Sequence, residues 1–187
     1  MNTHSMLKKN LSGFLVVLAL ILAAPSFGCL GGSSLKGDDE DIVIPDDFYF
    51  IYEAGYSPDN LCTLLDTKEE IIGKNLGLDG YVSKPYSIPR KNLKDVYDLI
   101  IRYGIQVYNS SDLLTDRSVD VSPRGYYKFT FYMDDKTYVI LWDNSVVNPR
   151  PMSEYANLAR FYYEMNTNYY VSTHEFQSFP EAVGLLG

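Results

Sequence analysis

The sequence predicts an α+β domain, an antiparallel β-sheet with two α-helices packed on one face. Three observations carry this. Residues 48–88 break into short aromatic and β-branched runs parted by turn residues, the pattern of strands. After Pro89 the apolar spacing lengthens to that of a helix. Residues 126–142 then return to alternation. Four strands, a helix, two strands and a helix in sequence fit a layered α+β architecture.

Taken in order, Phe48 to Glu53 (FYFIYE) opens the sheet, and 55–60 (GYSPDN) gathers turn formers. Leu61 to Thr67 and Glu70 to Leu76 follow as strands, and LDG (78–80) turns the chain into a fourth, Tyr81 to Ile88. Leu93, Val96, Tyr97, Ile100 and Ile101 then form a one-sided helical stripe, with Lys91, Lys94, Asp95, Asp98 and Arg102 opposite. Pro89 suits the first turn of that helix and Gly104 its end. Residues 105–124 are polar and give no clear element.

In the hairpin, Tyr127, Phe129, Phe131 and Met133 alternate with Tyr126, Lys128, Thr130 and Tyr132. A loop at Asp135-Lys136, or over 134–137, sets Met133 opposite Tyr138, Phe131 opposite Ile140 and Phe129 opposite Trp142. All large apolar side chains then share one face, which a one-residue slip would destroy. Ser153 is placed to cap a second helix with Tyr155, Leu158, Ala159, Tyr162 and Met165 inward. Phe176 and Phe179 are expected against the sheet edge.

The amino terminus carries a different signal. Lys8 and Lys9 precede twelve apolar or small residues, Gly13 to Ala24, ended by Pro25. A bilayer-spanning helix needs about 20 such residues and a signal-peptide core about 7–15, so residues 1–28 read as a targeting segment. Gly28-Cys29 followed by LGGSS resembles the lipobox of bacterial and archaeal lipoproteins, with Ser26 and Phe27 where Leu and a small residue are usual. That resemblance implies that the Cys29 thiol takes a diacylglycerol group and tethers the chain to the cell membrane. Ser26 and Gly28 also fit ordinary signal cleavage, which would release a secreted protein, and an uncleaved anchor is the third outcome. Residues 29–47 read as a flexible acidic linker and 48–187 as the domain.

The chain of 187 residues has a formal charge of −8. Removal of residues 1–28 takes away Lys8 and Lys9 and no acid, leaving −10. Residues 36–47 hold six acids and one lysine, so the domain itself carries only about −5. No basic cluster is present, which argues against a nucleic-acid partner. With Cys29 acylated, Cys62 stands alone and reads as a small buried hydrophobe; without acylation the two cysteines are a candidate bridge.

No catalytic, cofactor or metal set emerges. His174 is the sole histidine after residue 28, too few for zinc, and no nucleophile elbow accompanies Ser172 or Glu175 beside it. Asp112, Asp116 and Asp120, spaced by four, would line one helix face rather than wrap a calcium ion. Asp134-Asp135 is explained by a hairpin tip. The aromatic content, 17 Tyr, 9 Phe and one Trp, exceeds the needs of one core. Tyr126, Tyr132, Tyr169 and Tyr170 are therefore candidates for a surface that binds an envelope protein or a glycan. Asn109-Ser110-Ser111 is a glycosylation sequon.

FYFIYEAGYSPDNLCT, LDG, the helix LKDVYDLI, the hairpin FTFYMDDKTYVILWD and FP at 179–180 together resemble a group of secreted or lipid-anchored archaeal and bacterial proteins. The resemblance implies the same fold and address, and no activity. The expected function is thus that of a membrane-anchored, extracytoplasmic, non-catalytic binding or envelope-associated domain. The alternatives are a small envelope hydrolase using carboxylates, or a plain secreted protein.

Overall fold

The computed structural model describes residues 43–147 and 153–181. Its centre is a seven-stranded sheet in the order β4-β3-β2-β1-β6-β7-β5. Strands β1 (Tyr49–Ser57), β2 (Asn60–Asp66), β3 (Ile71–Asn75) and β4 (Tyr81–Pro85) form an antiparallel meander. Strands β6 (Tyr126–Met133) and β7 (Lys136–Asp143) form a hairpin that joins the meander through β1. The short β5 (Leu113–Leu114) lies parallel to β7, so the sheet is mixed, not wholly antiparallel as expected. Three α-helices accompany it: α1 (Arg90–Tyr103), α2 (Ala156–Met165) and the single-turn α3 (His174–Gln177). A 3₁₀ turn at Ile105–Tyr108 follows α1, and a π-helical segment, Asn166–Val171, continues α2.

Cross-strand pairing puts Phe50 and Tyr52 of β1, Phe129 and Phe131 of β6 and Ile140 and Trp142 of β7 on one face. All six are almost wholly buried. Phe161 from α2 and Phe129 meet edge to face with ring centres 4.9 Å apart, and Tyr97 from α1 and Phe48 do so at 5.1 Å. These T-shaped contacts are the favoured geometry for ring quadrupoles and fix the helices against the core. The Tyr52 hydroxyl donates to Asn166 Oδ1 at 3.3 Å, and that of Tyr170 to the Gly73 carbonyl at 2.7 Å. Burial pushes the phenols of Tyr52, Tyr162 and Tyr170 well above their ordinary range.

The helix after Pro89 forms as its spacing predicts. Gly104 ends it in the left-handed region (φ 61°), where its N–H reaches the carbonyls of Ile100 and Ile101. The buried stripe, Val96, Tyr97, Leu99 and Ile100, is rotated relative to expectation, so Leu99 is inside and Ile101 outside. In α2 the same rotation buries Phe161 along with Leu158, Ala159 and Met165. Ser153 accepts from the Tyr155 N–H at 3.2 Å, just ahead of the helix.

The hairpin register differs from expectation by two residues. Met133 pairs with Lys136, Phe131 with Tyr138 and Phe129 with Ile140. The loop is Asp134-Asp135, both at positive φ (52° and 59°), as the tightest twisted hairpin turn requires. A two-residue shift keeps every side chain on its face, so burial alone does not oppose it. At the carboxyl end, the expected edge contacts form: Lys74 Nζ of β3 sits 4.8 Å from the Phe176 ring centre, and Lys84 Nζ of β4 sits 4.5 Å from that of Phe179.

Candidate functional site

The site is best built outward from Asp143. This carboxylate ends β7 with no exposed surface, and such a charge persists inside a protein only when it is fully paired. It accepts from Thr115 Oγ1 at 2.7 Å, from Arg124 Nη1 at 3.1 Å, and from Ser145 through both its N–H (3.0 Å) and its hydroxyl. Ser145 Oγ in turn accepts from the Asp116 N–H at 2.8 Å. The segment that follows β5 is thereby fastened to the end of β7. Asp116 Oδ1 then closes a tight turn by accepting from the N–H and hydroxyl of Ser118.

Opposite this segment stands the entry to α2. Tyr108 of the 3₁₀ turn donates its hydroxyl to the Glu154 carbonyl at 2.9 Å. The Tyr155 ring lies 6.4 Å from that of Tyr108. Between the two walls runs an open groove of about 730 Å³, bounded by Leu113, Thr115, Asp116, Arg117 and Ser118 on one side and by Ser153, Glu154 and Tyr155 on the other. Burial, the hydrogen bond to Glu154 and the charges of Glu154 and Asp116 raise the Tyr155 phenol above its ordinary range. It therefore remains a hydrogen-bond donor at neutral pH.

The four tyrosines expected to form a surface are not brought together. Tyr126 and Tyr132 share the sheet face opposite Phe129, but six residues of strand, about 20 Å, part them. Tyr132 stacks on Tyr49 at 5.4 Å, and Lys68 Nζ lies 5.1 Å from the Tyr49 ring centre. Tyr170 is only 5% exposed and belongs to the core, which corrects its assignment to a surface. Tyr169 is half-buried against the same core. Asn109 is exposed, and its side-chain carbonyl accepts from the Val139 N–H at 2.8 Å. Cys29 lies outside the described residues.

Of the three spaced aspartates, Asp112 precedes β5, Asp116 lines the groove and Asp120 stands in the loop beyond; no helix carries them. Among the described residues, no three His, Cys, Asp or Glu side chains are grouped to hold a metal ion. His174 lies in a second hollow, of about 500 Å³, between the β4–α1 connection and α3. The neighbouring Ser172 hydroxyl donates back to the Asn168 carbonyl at 2.7 Å. Cys62 is half-buried and unbridged, with Asn75 Nδ2 3.7 Å from its sulfur. The groove was missed in the sequence because its walls lie about forty residues apart and meet only through the β5–β7 pairing and Tyr108. No protein-family model, curated protein or solved structure matches the chain. Among the described residues no helix is long and apolar enough to cross a membrane.

Proposed function

We propose that this is a lipid-anchored, extracytoplasmic binding domain that presents the groove between the β5 segment and the α2 entry to a polar ligand. The observation that carries the binding reading is the groove's construction. Both walls are pinned by hydrogen bonds independent of any ligand, so little ordering cost falls on binding. The address rests on Gly13 to Cys29, an apolar run too short for a bilayer that ends at a thiol. Two acyl chains at about 0.8 kcal/mol per buried CH₂ hold a protein stably at a membrane. In this reading α1 and α2 cover the Phe129 face of the sheet, and the acidic linker holds the domain away from an anionic surface.

Cys29→Ser should move the protein from the membrane to the soluble fraction and abolish incorporation of labelled fatty acid. Unchanged fractionation with an unmodified Cys29 sulfur would remove the anchor.

One observation favours the hydrolase reading: two carboxylates, Asp116 and Glu154, line the same groove. Glu154 is exposed, however, whereas a general acid in glycoside cleavage depends on apolar surroundings to keep its proton. Turnover of any glycan that Glu154→Gln abolishes would decide for the enzyme.

A further inference from the structure

We propose that Trp142, Tyr162 and Tyr163 form a relay that carries a one-electron vacancy from the centre of the core to the surface of α2. The three rings stand in series. Trp142, near the carboxyl end of β7, is wholly buried. The Tyr162 ring centre lies 6.3 Å from that of Trp142, and the Tyr163 ring stands a further 5.5 Å on. Tyr127 lies 5.8 Å from Trp142 and 4.9 Å from Tyr162, so a second contact path joins the same two rings. All four distances fall within the roughly 4.5–7 Å of packed aromatic pairs, and no step spans a gap that would slow electron tunnelling. Tyr163 stands outside the hydrophobic core and touches it through the Tyr162 ring.

The direction comes from where a proton can go. An indole Nε1–H only donates, and among the described residues no hydrogen-bond acceptor reaches that of Trp142. Loss of an electron therefore leaves a Trp142 radical cation that keeps its proton, and with it a strong pull on electrons. Burial raises the Tyr162 phenol above its ordinary range, so that ring passes an electron without releasing a proton. Tyr52 and Tyr170 offer no exit, since both are buried and bonded within the chain. Tyr163 is 54% exposed and can give its phenol proton to water. A tyrosyl radical that has shed its proton lies below a tryptophan radical cation in energy, so the vacancy settles there.

A one-electron oxidant, an oxygen-centred radical or an oxidising metal complex, takes one electron from Trp142 by long-range transfer. An electron from Tyr163 refills the vacancy through Tyr162, and the Tyr163 proton passes to water. The products are the reduced oxidant, a proton in water, a neutral Tyr163 phenoxyl radical and an intact Trp142. The domain gains because the lesion falls on a solvated side chain. Oxygenation of Trp142 would instead put a new polar group in the core without a partner.

The test excites Trp142, the one tryptophan, at the red edge of indole absorption, in the full chain with a cobalt(III) ammine complex as irreversible electron acceptor. A nitrosoalkane spin trap captures the tyrosyl radical, and peptide mass spectrometry locates the adduct. The expected adduct is on Tyr163, with Trp142 unoxidised. Tyr163→Phe, at an exposed ring that the fold does not need, should remove the adduct and lengthen the life of the Trp142 radical at least tenfold by transient absorption. Tyr162→Phe keeps a ring in place but not an oxidisable one, and should slow the transfer while Tyr163 is still present. An adduct confined to Tyr127 or another tyrosine would overturn the relay, as would a Trp142 radical whose lifetime neither variant changes. A Tyr163 adduct that persists in Trp142→Phe would also overturn it, since Tyr163 would then be oxidised directly.

Discussion

Replacing Asp143 by alanine tests the foundation of the groove. The substitution removes an acceptor that serves four donors in a site closed to water. Ser145 is fully buried, so its N–H loses its partner outright, at a cost of about 1–2 kcal/mol. Its hydroxyl loses an acceptor while still receiving the Asp116 N–H, which adds about 1 kcal/mol. Thr115 is only half-buried and can turn to water, so it adds about 0.5 kcal/mol. The Arg124 side chain is 46% exposed and solvent screens most of its loss, so it is set near zero. The expected destabilisation is about 3 kcal/mol. With a urea dependence of about 2 kcal/mol per molar, the unfolding midpoint should fall by about 1.5 M. Equilibrium urea unfolding followed by tryptophan fluorescence reads this directly, because Trp142 is the adjacent residue and wholly buried. A fall of less than 0.5 M, about 1 kcal/mol by the same slope, would mean that the network does not fasten the β5 segment to β7.

Two further outcomes follow from the core and the turn. Tyr52, Tyr162 and Tyr170 are held protonated by burial, whereas an unfolded tyrosine ionises near pH 10. Their contribution is fully present below about pH 10 and is lost as the pH rises beyond it, by about 1.4 kcal/mol per unit each. A pH series of unfolding free energies from urea titrations should be level to about pH 9.5 and then drop by up to about 4 kcal/mol per unit; a level series to pH 11.5 would refute the burial. Asp135→Gly should stabilise the hairpin by about 0.5–1 kcal/mol, since glycine adopts the φ of 59° without a Cβ penalty. Differential scanning calorimetry showing a lowered midpoint would count against the turn geometry.

Much of the fold was legible because periodicity reports which side of an element is buried. The stripe from Leu93 to Ile100, the turn residue Gly104 and the alternation of Tyr127 to Met133 each led to the right element. The errors have the same origin. Alternation fixes a strand's face but leaves register free in steps of two, so Met133 pairs with Lys136 rather than Tyr138. Ile101 and Leu99 compete for one flank of α1, and the packing partner decides between them. Tyr170 looked like surplus surface because its acceptor, the Gly73 carbonyl, is 97 residues away in sequence. The groove depends wholly on such distant partners: a polar stretch with no helical or strand period, 105–124, is ordered by contacts to Val139, Asp143 and Ser145.

The seam between β1 and β6 has a kinetic consequence. Every other neighbouring pair of antiparallel strands is joined by a short turn, but Tyr52 and Phe129 meet across more than seventy intervening residues. The meander of residues 49–85 and the hairpin of 126–143 can each assemble locally, while their union must overcome the entropy of closing that long loop. A chain that emerges amino-terminus first, from a ribosome or a translocon, therefore presents β1 with one edge open until Tyr126–Met133 has followed. During that interval Phe50 and Tyr52 lack their final cover, and sticking to a neighbouring chain competes with folding.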